Sequence, residues 1–184
     1  MTPAEREYAL KGLDESRERL LSALRGLSRE QLEYRPSADR WSVAECAEHI
    51  IVVEQFVLEG LRNLVKQPPD SAKRSDWEGR DLLLVKTVAE RTTRLQAPER
   101  ICPNGRWPIE KLAPEFEAHR TRSREFVASL EEDLRSRTYL HPALVDAYQC
   151  ILLIASHCDR HCAQGEEVMS TPGFPAAKHE SVAG

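Results

Sequence analysis

Missing from this 184-residue sequence is any apolar run approaching the roughly 18 to 20 residues that a membrane-spanning helix needs. The N-terminus, MTPAEREYAL, is charged and lacks the apolar core of a signal peptide. The expectation is a cytoplasmic protein with no membrane partner. Charge of one sign is also lacking: 26 Lys and Arg against 30 Asp and Glu give a formal charge of -4. The two signs are interspersed, so no extended basic surface exists for a phosphate backbone, and nucleic acid is excluded as an expected partner. Paired cysteines are lacking too. The five present, Cys46, Cys102, Cys150, Cys158 and Cys162, are odd in number and sit mostly in helical patterns, which implies reduced thiols and no disulfide framework. Strict apolar-polar alternation between turn residues is found nowhere, and no repeat recurs at a fixed period.

What is present is helical periodicity. Leu10, Leu13, Leu20, Leu24 and Leu27 mark an amphipathic helix over about Pro3 to Leu27, with a proline in its first turn. Ser28 to Gln31 has the pattern of a short capped turn. Ser42 and Glu45 form a capping box before an apolar run from Val43 to Leu64, so a second helix is expected to end near Lys66, ahead of Pro68 and Pro69. The stretch from Gln67 to Arg80 reads as a long polar loop suited to ordering around a ligand or partner. A third helix is expected over Asp81 to Leu95, then a turn-rich segment containing Pro98, Pro103, Gly105 and Pro108. A fourth spans about Ala113 to Glu132. A last helix, opening after His141-Pro142, runs from Leu144 through Val168 with an all-apolar centre, CILLIAS. The fold class is therefore all-α, a helical bundle of four long helices and a shorter one over residues 1–170, followed by a flexible tail over 171–184.

Three histidines carry the chemistry. His157 and His161 are four residues apart, a spacing that turns a helix by only about 40° and so sends both imidazoles out of one face. That face is the apolar stripe Leu153, Ile154, His157, His161, Gln164 and Val168. A third ligand from another helix would close a metal site, and His49 sits in a suitable one, although on residue type alone a satisfied structural histidine is the more ordinary reading of its position. Gln164, one turn beyond His161, is the candidate for contacting a bound cofactor. Glu45 is explained by its capping box, Trp41 as a core anchor at a helix start, Arg160 as a solvated arginine, and Cys158 and Cys162 as packing residues. His119 and His141 are left out of the ligand set, and His179 lies in the tail.

The segment WSVAECAEHI, with His49 eight residues after Trp41, and the closing HCDRHCAQ resemble the two signatures of the DinB/YfiT-like superfamily, WS-x-x-E-x-x-x-H and H-x-x-x-H-x-x-Q. The resemblance covers roughly Ala4 to Met169, with specific motifs in two short stretches only. It implies a four-helix up-and-down-type bundle, usually dimeric, that holds a divalent cation such as zinc or nickel on His49, His157 and His161. It also implies a small-molecule substrate and thiol S-transferase chemistry with a low-molecular-weight thiol. Metal-dependent hydrolysis and a non-catalytic metal-binding or dimerisation module are the alternatives. Two departures bear on the subfamily: Cys158 stands where relatives often have glutamate, and Leu144-Val145 where they often have a glycine after the HP dipeptide.

Overall fold

The computed structural model describes residues 1–69, 80–91, 96–141 and 143–176. The elements are α1 (Pro3–Leu24), α2 (Arg29–Glu33), α3 (Val43–Leu64), α4 (Asp81–Ala89), a 3-10 turn (Glu99–Ile101), α5 (Ile109–Ser129), β1 (Thr138–His141), β2 (Ala143–Asp146) and α6 (Ala147–Met169). The protein is all-α apart from one short hairpin. No helix among the described residues is long and apolar enough to cross a membrane.

Local sequence sets the helix starts. Thr2 with Glu5, Ser28 with Gln31, Ser42 with Glu45 and Asp146 with Gln149 each form a reciprocal capping box, satisfying backbone N–H groups that the first turn leaves without partners. Helix α5 begins at Ile109, four residues earlier than the periodicity implies, and keeps Pro114 inside it. The expected third helix is short, because α4 ends at Ala89; Leu95 and most of the 67–80 loop lie outside the described residues.

The largest departure is at 138–146. There the chain forms an antiparallel hairpin, pairing Thr138 with Asp146 and Tyr139 with Val145, instead of opening the last helix at Leu144. Asp146 ends this strand and caps α6, its carboxylate accepting from the Gln149 amide at 2.7 Å. The D-x-x-Q pattern was the available signal for that start.

Helices α1 and α3 each pack on both α5 and α6, so α1 lies across one diagonal of the bundle from α3, and α5 across the other from α6. One apolar cluster gathers Leu13, Val57, Leu61, Val127, Leu134 and Ile151; a second gathers Leu20, Ala47, Ile50, Ile51, Phe116 and Cys158. Each fully buried large side chain contributes about 1.5 to 3 kcal/mol. Between them in sequence on α1, α3 and α5 sit Ser16, Glu54 and Arg120, a buried polar layer in which Arg120 bonds Glu54 through Nε and Nη2 at 3.0 Å and reaches Ser16 Oγ at 2.6 Å. At the hairpin end, Arg135 donates to Glu5 at 2.7 Å, Asp81 at 2.6 Å and Asp146 at 2.9 Å. It thereby ties α1, α4 and α6 together and fixes where α4 crosses α6.

Candidate metal centre

Helix α3 delivers His49, and α6 delivers His157 and His161 from successive turns. The three rings form a near-equilateral triangle, with centroids 5.0 Å apart for His49 and His157, 4.5 Å for His49 and His161, and 4.5 Å for His157 and His161. One ring nitrogen from each lies within 4.8 Å of the others. Zinc bound to imidazoles at about 2.1 Å would set these nitrogens about 3.4 Å apart, a separation that small ring rotations reach. His49 and His161 are buried and His157 is half-buried, so the cluster is most open on the His157 side.

Hydrogen bonding settles two tautomers. His49 Nδ1 is 2.7 Å from the Ile101 carbonyl oxygen, which can only accept, so Nδ1 carries the proton and Nε2 is left for coordination. His161 Nδ1 is 2.9 Å from Gln164 Oε1. Arg91 Nη1 donates to the same oxygen at 3.1 Å, which fixes the amide orientation and makes His161 Nδ1 a donor as well. Burial lowers the pKa of His49, and it lowers that of His161 further, helped by the neighbouring His49 and the charges of Arg160 and Arg91. Both imidazoles are held in the neutral form that binds a metal.

Several neighbours differ from their sequence reading. Trp41 is not a core anchor: it is half-buried and packs its ring 4.7 Å from His49 and 5.9 Å from His161, forming a wall of the cluster. Arg160 is not merely solvated, since its guanidinium donates to the Val88 and Glu90 carbonyls and so caps the end of α4. Glu45 keeps its capping role and pairs with Arg35 at 2.7 Å. Cys158 and Cys162 are buried in the Phe116 cluster, as packing residues. His119 Nε2 accepts from Gln55 at 2.6 Å, and among the described residues only His49, His157 and His161 form a group able to hold a metal. His179 lies outside the described residues, as do the side chain of His141 and residues 177–184 of the expected tail. Arg91, which supports Gln164 while pairing with Glu167 at 2.7 Å, was missed, because nothing local in the sequence links it to α6.

The family model of the DinB superfamily matches residues 12–164, a span that includes all three histidines. The chain belongs to the DinB superfamily. Among curated proteins it is similar to the uncharacterized protein YuaE of Bacillus subtilis (strain 168), 27% identical over 158 residues that make up 84% of this chain and 93% of that relative. No solved structure matches the chain. In this DinB-superfamily member both signature segments meet in space, and Gln164, the glutamine of the closing signature, serves as the acceptor that orients His161.

Proposed function

We propose that this protein is a divalent-metal enzyme of the thiol S-transferase type, with His49, His157 and His161 as its ligands. The observation that carries the reading is the triangle itself: three imidazoles from two helices, with no fourth His, Cys, Asp or Glu joining them among the described residues. A structural zinc site is closed by four protein ligands, whereas a catalytic one keeps a position for substrate. Three imidazoles suit zinc and nickel among others. A cation bound there would lower the pKa of a coordinated thiol and supply a thiolate at neutral pH.

The chain's own residues divide the remaining work. Ile101 and Gln164 orient two ligands, Trp41 walls the cluster with an apolar face, and burial of His49 and His161 excludes water from one side. Burial first, and then the charges of Arg106 at His49 and of Arg160 and Arg91 at His161, disfavour protonation of these ligands, while Glu48 and Glu167 compensate the charges of Arg106 and Arg91. Gln164 contacts the bound cofactor only through His161 in this reading. A homodimer belongs to the same proposal and is tested by light scattering against the chain mass of 20.9 kDa.

The deciding experiment compares turnover of electrophilic substrates by zinc- or nickel-loaded protein with and without an added low-molecular-weight thiol. Turnover that requires the thiol supports transfer, turnover without it supports hydrolysis, and no turnover beside full metal occupancy supports a non-catalytic module.

A further inference from the structure

Glu48 precedes His49 on α3 and is buried, an unusual place for a carboxylate in an otherwise apolar run. It receives a concentrated set of donors. Glu48 Oε1 accepts from the Asn104 amide at 2.8 Å, the Arg106 amide at 3.2 Å and Arg106 Nη1 at 3.2 Å; Oε2 accepts from the Gly105 amide at 3.0 Å. Three successive amides converge on one carboxylate because Gly105 adopts φ +77°, a left-handed conformation that turns the chain into an anion-binding concavity. Here the anion is the protein's own side chain.

The strap so captured is the one that touches the metal ligand. Arg106 Nη1 donates to the Cys102 carbonyl at 2.8 Å and Nη2 to the Arg100 carbonyl at 3.2 Å, bracketing Ile101. Arg100 in turn lies over the Phe56 ring of α3 at 4.6 Å. Between these attachments the Ile101 carbonyl meets His49 Nδ1. The Glu48 carboxylate is engaged by the strap and does not join the histidine group, so its influence on the ion runs through backbone.

We infer that Glu48 is a positioning residue for the metal site: by capturing the amides of residues 104–106 it holds the Ile101 carbonyl against His49, fixing the Nδ1–H tautomer and presenting Nε2 to the ion. This rests on the three-histidine reading above. Without the carboxylate the strap loses its anchor, His49 loses its acceptor, and the ring is free to rotate and to exchange tautomers. Partners that orient a ligating histidine typically change metal affinity by about 10 to 100-fold when removed.

The test uses Zn²⁺ alone, titrated against a competing chelator, together with ¹⁵N NMR of the imidazoles in the metal-free full chain. Four variants are compared with the parent: Glu48→Gln, Gly105→Ala, Val127→Ala and His49→Ala. Glu48→Gln replaces acceptor lone pairs with an N–H₂ that faces the strap amides. Gly105→Ala strains the same turn without touching α3, since no atom lies within 4 Å of the added Cβ. Both are expected to weaken Zn²⁺ binding by about 10 to 100-fold and to convert His49 from a single Nδ1–H tautomer to a mixture. Val127→Ala opens the distant apolar cluster and is expected to lower the melting temperature with metal affinity and tautomer unchanged. Parental affinity and a single His49 tautomer in Glu48→Gln and Gly105→Ala, beside lost binding in His49→Ala, overturn the inference and leave the metal site standing. An equal loss of affinity in Val127→Ala also overturns it, by making the effect one of general stability. Undiminished binding by His49→Ala removes the metal-site reading and this inference together.

Discussion

Arg120 and Glu54 form a buried ion pair in the middle of the bundle, with Nη2 3.0 Å from Oε2 and side chains 0% and 2% exposed. Each charge is satisfied by the other, and Arg120 gains further acceptors in the Leu13 carbonyl and Ser16 Oγ. Breaking such a pair strands a charge in a low-dielectric interior. Arg120→Ala is expected to destabilise the fold by about 3 to 5 kcal/mol, read as a shift of the urea midpoint. The double replacement Glu54→Leu with Arg120→Met is expected to recover most of that loss, because two apolar side chains leave no unpaired charge. A double variant as unstable as Arg120→Ala would contradict this account.

Metal stoichiometry separates ligands from other histidines. His157→Ala is expected to lose the bound metal, measured by elemental analysis of untagged protein. His119→Ala is expected to keep it, because that ring bonds Gln55 and does not join the histidine group. Retention by the first variant would remove His157 from the site.

Gln164 offers a graded probe of ligand orientation. Gln164→Leu deletes the acceptor for His161 Nδ1–H and is expected to weaken Zn²⁺ affinity by about tenfold or more. Gln164→Glu keeps an acceptor and pairs with Arg91, so its affinity should stay close to the parent's. Equal affinities in Leu and Glu variants would show that this hydrogen bond has no bearing on the metal.

Acid should destabilise the metal-free protein through the same histidines. His49 and His161 both titrate below 6.5 in the folded state, chiefly because burial disfavours the charged ring. The unfolded chain therefore takes up protons first as pH falls past about 6.5, and stability declines from there down through the folded-state values. Urea midpoints at pH 7.5 and 5.5 should show the fall, and His161→Gln should make it shallower. A steeper fall in that variant would reverse the assignment.

Much of the site was legible because its information is local. The i, i+4 spacing of His157 and His161 and the Ser42–Glu45 capping box are set within a single helix turn, and the structure realises both. Trp41 was misread because only tertiary contact reveals which face of the loop before α3 it covers. Glu48 and Arg120 sit at helical positions where a charge ordinarily faces water, and their partners lie far away in sequence: the 104–106 strap for one, α1 and α3 for the other. The hairpin at 138–146 escaped notice because its strands are four residues each, too short for alternation to register.

Helix α6 carries two of the three imidazoles, touches α1, α3 and α4, and contributes to both apolar clusters. Within the bundle it is the last long helix in sequence order. A nascent chain halted before residue 147 exposes the faces of α1, α3 and α4 that α6 covers and has only one of the histidines that would grip an ion. A metal held by all three ligands would therefore require that synthesis has passed residue 161.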